Sequence, residues 1–122
     1  MSYEWLDEFC LAQVGATKDY KDEWEATRYM VGGKMFAMVG GDRDGKPIVT
    51  LKLDPAFGEM LRGQFADIVP GYYMNKTHWS SLYLEGSVPD ETLRAMVLES
   101  HRLILESLSK KLQAEILASA QA

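Results

Sequence analysis

Arg28-Tyr29-Met30-Val31-Gly32-Gly33-Lys34-Met35-Phe36-Ala37-Met38-Val39 is the stretch that decides the fold. Its two arms read with a period of two, and the paired glycines between them supply the positive φ that a two-residue hairpin turn requires. A second turn, Gly40-Gly41-Asp42-Arg43-Asp44-Gly45, leads into Ile48-Val49-Thr50-Leu51-Lys52-Leu53, so residues 27–53 are expected to form a three-stranded antiparallel meander. The glycines do not make a phosphate loop, because neither a strand-to-helix transition nor Gly-Lys-Ser/Thr follows them.

Downstream, Asp54-Pro55 is a strong helix start, with Asp as cap and Pro where its missing N–H costs nothing. That helix is expected over 54–65, weakened by Gly58. Two more strands are expected within 68–85: Ile68-Val69 opens one, and Trp79-Ser80-Ser81-Leu82-Tyr83-Leu84 is the other. Leu82 and Leu84 alternate with Ser81 and Tyr83, as in a sheet with one covered face. A final helix over 89–117 starts at Pro89-Asp90-Glu91 and carries a stripe of Leu93, Met96, Val97, Ile104, Leu108 and Leu112; His101 falls beside it, as a boundary residue. Upstream, Ser2 can cap a helix over 1–15 whose apolar positions are Trp5, Leu6, Phe9, Cys10 and Val14, stopped by Gly15. The acidic residues 19–25 around Trp24 read as a solvated connection. The expected architecture is α+β, a two-layer sandwich of order α-β-β-β-α-β-β-α with one antiparallel sheet covered by helices, in a single domain over 1–122.

At 122 residues and 47% apolar content the chain can hold one core without staples. It has no apolar run of about 18 residues to span a membrane and no leader pattern at its start, so a cytoplasmic location is expected. The single Cys10 can form no internal disulfide or zinc pair, and on the apolar side of its helix it is expected to be a buried, inert thiol. The net charge of −5 is uneven. Residues 1–25 carry −5, residues 26–84 carry +2 and residues 85–122 carry −2, so cationic excess is confined to the middle.

The only histidines are His78 and His101, with no Gly-x-Ser-x-Gly elbow and no cluster of ligating side chains. Neither catalysis, nor a metal, nor a cofactor is expected. The richest stretch is Pro70-Gly71-Tyr72-Tyr73-Met74-Asn75-Lys76-Thr77-His78-Trp79. Asn75 can pair with a base edge, Lys76 can meet a phosphate, and Tyr72, Tyr73 and Trp79 can stack on bases. The same residue types suit an aromatic-rich turn in which Tyr and Trp seal the sheet edge and Asn75 holds the backbone, or a contact with a protein or small ligand. The residues alone leave these alternatives open.

Four separated motifs carry a resemblance over nearly the whole chain: Val31-Gly32-Gly33-Lys34-Met35-Phe36-Ala37, Leu51-Lys52-Leu53-Asp54-Pro55, the 70–79 stretch, and Gly86-Ser87-Val88-Pro89-Asp90-Glu91. Together they look like the MmcQ/YjbR family of small bacterial proteins. That resemblance implies the same α-β-β-β-α-β-β-α domain, similar to the fold of type III secretion chaperones, with a DNA-binding label and no enzymatic activity. Carried over by position, it points to Lys34, Lys52, Tyr72, Asn75, Lys76, His78 and Trp79. This chain departs from the family at Leu53, where Cys is frequent, and at His101, where an aromatic Tyr is frequent. The expectation is weak, salt-dependent DNA contact through the hairpin and the loop, with Lys34, Lys52 and Lys76 on phosphates and Asn75 and Trp79 toward bases. It requires the three lysines to share one face. The alternative is a protein-binding adaptor, monomer or homodimer, whose acidic first helix with Asp7 and Glu8 holds a basic partner. A third is an enzyme or small-ligand protein using a pocket beside Tyr72 and His78.

Overall fold

The computed structural model describes residues 3–71 and 74–121. Its elements are α1 (Leu6–Leu11), β1 (Ala16–Lys21), a short 3-10 turn (Asp22–Trp24), β2 (Ala26–Val31), β3 (Lys34–Gly41), β4 (Pro47–Lys52), α2 (Pro55–Gln64), β5 (Ile68–Pro70), β6 (Trp79–Tyr83), α3 (Asp90–Glu106) and α4 (Lys110–Gln121). The strands form one antiparallel sheet of order β1-β2-β3-β4-β6-β5. The α+β architecture is therefore as expected, with differences in the element count.

The expected turns are in place. Gly32 and Gly33 take φ of +58° and +81° in the hairpin turn, and the Asp54 side chain accepts from the Ala56 N–H at the start of α2. Three elements differ. The region from Ala16 to Trp24, beyond the expected helix and in part expected as a solvated connection, is an edge strand and a turn, giving six strands where five were expected. The first helix spans Leu6–Leu11 rather than 1–15, and the cap expected at Ser2 lies outside the described residues. The final helix is divided, because the Ser107 hydroxyl turns back onto the Ile104 carbonyl and Leu108 drops onto the hairpin turn.

Strand register assigns the faces. Tyr29, Ala37, Leu51 and Ser80 form one cross-strand row, and Arg28, Met38, Thr50 and Ser81 form the next. The first row faces the helices. There Val31, Phe36, Val49, Leu51 and Leu82 pack with Leu6 and Cys10 of α1, Leu61 of α2, and Leu93, Met96 and Val97 of α3. Fully burying one such side chain stabilises the fold by about 1.5–3 kcal/mol. Burial also pushes the Cys10 thiol up to about 12, leaving it protonated at neutral pH. His101 is buried rather than at the boundary: its Nε2 lies 2.8 Å from the Val14 carbonyl oxygen, and its ring meets Phe36 edge-on at 5.2 Å.

Phe36 is an extra residue on β3. Tyr29 faces Ala37 and Met30 faces Met35, so Phe36 has no partner on β2. On its other side the ladder to β4 ends at Ala37 and Leu51. The buried Ser100 hydroxyl from α3 enters that gap, donating to the Phe36 carbonyl and accepting the Lys52 N–H. A bulge of this kind strands backbone groups that must be paired when buried.

The second face carries no helix, yet Met38, Ile48, Thr50 and Ser81 on it are all buried. The solvated position expected for Ser81 is therefore corrected: Ser81 is fully buried, and its hydroxyl hydrogen-bonds that of Thr50 at 2.7 Å. Trp24, from the turn after β1, and Met74, from the 71–78 loop, border one cavity with Met38 and Ile48. Met74 thus reaches over the helix-free face.

Candidate functional site

The loop closes at a narrow neck. The Gly71 N–H donates to the Trp79 carbonyl at 2.8 Å, and a Cβ at position 71 would come within 2.9 Å of the Trp79 Cβ, so this approach requires glycine. Tyr72 and Tyr73 lie outside the described residues. Asn75 organises the turn that leads back to the neck. Its Oδ1 accepts the N–H groups of Thr77 at 2.9 Å and His78 at 3.4 Å, and its carbonyl accepts the Trp79 N–H at 2.9 Å. It therefore performs the turn-holding role, and its side-chain NH2 is the group left for a ligand. Lys76 and His78 are exposed, and the His78 carbonyl accepts the Leu53 N–H at 2.7 Å, fastening the loop to the end of β4. Trp79 is half-buried, directly opposite Lys52 on the helix-free face.

Lys34 follows the hairpin turn at the same end of the sheet as Lys52 and the loop. It stands opposite the buried Val31, and its Nζ lies 3.5 Å from Ser107 Oγ at the end of α3. Lys34 therefore emerges on the helix side and Lys52 on the other. The structure brings the expected lysines to one end of the sheet and not to one face.

Two cations that no sequence motif marks join them. Leu108 and Leu112 pack on Gly32, so the start of α4, with Lys110 and Lys111, sits at the hairpin turn. Around this end, residues 32–35, 52–54, 74–79 and 107–112 hold five lysines against the single acid Asp54. Among the described residues none of the five takes part in an ion pair, and the neighbouring Glu106 is held by Arg102 at 3.0 Å. At the opposite end, residues 21–26, 41–47, 65–68 and 83–87 hold seven acids against three cations. Local sequence could not have singled out Lys110 and Lys111, since only the turn between α3 and α4 brings them to the hairpin.

The acidic groups divide by partner. Asp7 takes hydrogen bonds from Lys18 at 2.8 Å and from the Tyr29 hydroxyl at 2.7 Å, which hold its carboxyl below the usual range. Burial and the neighbouring Asp7 raise Tyr29. Glu8 is exposed. Asp42 is buried in the β3–β4 turn. Burial pushes its carboxyl up, but the N–H groups of Lys46 and Asp44 and the Tyr83 hydroxyl outweigh that and hold it low. Among the described residues no group of three or more His, Cys, Asp or Glu could hold a metal ion, and no helix is long and apolar enough to cross a membrane. A cavity of about 390 Å³ lies on the helix-free face, toward the acidic end.

The fold and the site define a one-sheet α+β domain with helices on one face, a cationic rim at one end and a loop whose Met74 reaches over the other face. The family model of YjbR matches residues 11–103, and the chain belongs to the YjbR family. It is 35% identical over 111 residues to the uncharacterized protein YjbR of Escherichia coli K12, covering 91% of this chain and 93% of that protein. It is 33% identical over 88 residues to the uncharacterized protein YbdF of Escherichia coli O157:H7, covering 72% and 71%. Among solved structures it is similar to Deinococcus radiodurans protein DR2400, with family-model domain DUF419, at a TM-score of 0.81 and 29% identity over 91% of this chain and 84% of that one.

Proposed function

We propose that this domain binds DNA through the cationic end of its sheet. The supporting observation is the convergence of Lys34, Lys52, Lys76, Lys110 and Lys111 around one end with a single acid among them and no described ion pair to neutralise them. Phosphates supply the attraction. Lys52 and Lys76 meet one strand from the helix-free side, while Lys34, Lys110 and Lys111 meet the backbone from the helix side. Because Lys34 and Lys52 do not share the single face first expected, the contact is end-on instead, with the hairpin turn and the loop as its two prongs. Asn75 contributes as a donor only, since its Oδ1 is engaged in the turn, so it would address acceptor atoms such as purine N7. Half-buried Trp79 lies opposite Lys52, so only part of its ring is open to a base.

Five contacts predict a log–log salt slope of about −4 to −5 for duplex DNA, so affinity falls several-hundredfold between about 50 and 200 mM salt. The net charge of −5, with seven acids against three cations at the far end, keeps the binding weak. Fluorescence-anisotropy titration of labelled duplex tests the reading. Lys76→Ala and Lys52→Ala should each reduce the slope by about one unit and Lys110→Ala/Lys111→Ala by about two. Lys46→Ala, at the acidic end, should leave it unchanged. Equal slopes in all variants, or no binding at low salt, would overturn the proposal.

A further inference from the structure

The cavity on the helix-free face has a composition that the DNA reading does not use. Its floor is Ala26, Met38 and Ile48, all buried, and its walls are Trp24 and Met74. The floor is kept low at position 40, where a Cβ would crowd the Ala26 methyl at 3.2 Å. Its volume of about 390 Å³ lies within the range of small-molecule sites, which are mostly apolar with a few placed polar groups. The two methionines are adaptable thioethers that pack well against aromatic rings. Trp24 is 52% exposed, with Lys21 Nζ 5.3 Å and Arg28 Cζ 5.7 Å from its ring centroid, so an occupant would cover the part of the ring they leave open.

Acids outnumber cations at the mouth, with Asp19, Asp22, Glu23 and Glu25 against Lys21 and Arg28. Among the described residues Glu23 is the only ionisable side chain lining the cavity, and its neighbours Asp22 and Glu25 are exposed acids. Lys21 approaches the Glu23 carboxylate only to 3.7 Å, a long contact that a ligand cation can replace. The nearby guanidinium of Arg28 is committed to Asp19 through two hydrogen bonds, at 2.8 and 2.6 Å. The cavity therefore offers an apolar pocket and a carboxylate rim. An anionic ligand would meet repulsion there, and a neutral one would leave Glu23 unused.

We propose that this cavity is a binding site for a hydrophobic organic cation: an aryl or alkyl group seated between Trp24 and Met74 over Met38 and Ile48, with its ammonium at Glu23. Apart from Met74, two residues before Lys76, its lining lies at the opposite end of the sheet from Lys34, Lys52, Lys110 and Lys111, and the proposal does not rest on DNA binding.

Three probes of matched shape test it: 4-phenylbutylamine, 4-phenylbutanol and 4-phenylbutanoate, titrated into the full chain and followed by backbone amide NMR shifts. The amine should bind tightest and the carboxylate weakest. An exposed ion pair is worth about 0.2–1 kcal/mol, so the amine should exceed the alcohol by up to about fivefold. Shifts should centre on residues 23–26, 38–41, 48 and 74. Glu23→Gln should bring amine and alcohol to equal affinity, while Trp24→Ala should weaken both together. Both side chains are exposed, so these variants should fold. Carboxylate binding equal to the amine, shifts centred elsewhere, an unchanged preference in Glu23→Gln, or no binding of any probe at millimolar concentration would each overturn the assignment.

Discussion

Replacing Ser100 by alanine removes a hydroxyl that closes the β-sheet where its own ladder fails. Ser100 is fully buried, donates to the Phe36 carbonyl and accepts the Lys52 N–H. The substitution deletes one small atom, so the cavity term is minor, but it strands two backbone groups at once. A buried group left unsatisfied costs about 1–3 kcal/mol. The Phe36 carbonyl beneath α3 should carry the full cost, and the Lys52 N–H, nearer the sheet end, part of it. The expected loss is therefore about 3 kcal/mol, and at roughly 2.1 cal/mol/K per residue it corresponds to a fall in Tm of about 12 °C. Urea denaturation should give a lower midpoint at unchanged m-value. Hydrogen exchange should accelerate selectively at the Lys52 amide. Ser87→Ala, at an exposed position, is the control and should stay within about 0.5 kcal/mol. A loss below about 1 kcal/mol in Ser100→Ala, or undiminished protection of the Lys52 amide, would refute the reasoning that the serine satisfies the bulge.

The hairpin turn offers an internal comparison. Gly33→Ala places a methyl in open space at φ +81° and should cost about 1–2 kcal/mol from the backbone alone. Gly32→Ala drives a methyl within 2.5 Å of Leu108 and should cost about 1–3 kcal/mol more. Adding Leu108→Ala to each variant should remove the difference between them if α4 docking is its source, as measured by thermal denaturation. The carboxyls of Asp7 and Asp42 titrate lower folded than unfolded, so their stabilisation is full above the unfolded value of about 4 and is lost as pH falls through the folded value. Tm should hold from pH 7 to about 5 and drop below about 4, with a shallower drop in Asp7→Asn and Asp42→Asn.

The elements legible in the sequence carry their own turn chemistry. Gly32-Gly33 and Asp54-Pro55 fix a turn and a cap through local backbone preferences that tertiary context has no reason to override. The strand β1 carries no such signal. Ala16-Thr17-Lys18-Asp19-Tyr20-Lys21 is polar on both faces, so no alternation marks it. Its register on β2 is supported instead by the Arg28–Asp19 pair and by Asp7 of α1, which accepts from both Lys18 and the Tyr29 hydroxyl opposite it. Its charges also suit an edge strand, whose unpaired backbone would otherwise template aggregation. Ser81 misleads for a related reason: its polarity fits a solvated face, but it is buried with its hydroxyl bonded to that of Thr50, a cross-strand pairing that alternation alone does not predict.

The same non-locality hid the character of the candidate site. Cationic excess along the chain is small, +2 over residues 26–84, and Lys110 and Lys111 fall in a segment with net negative charge. Summed by sequence window, the lysines look diluted. Antiparallel pairing re-sorts them, because each strand reverses direction and brings the turn after β2, the end of β4 and the neck of the 71–78 loop to one end. The break between α3 and α4 then delivers two more lysines beside Gly32. The acids of the β1–β2 and β3–β4 connections are sent to the other end by the same reversals. A chain of net charge −5 is thereby polarised along its strands, and at a Debye length of about 8 Å a ligand at one end responds to the local lysines rather than to the net charge.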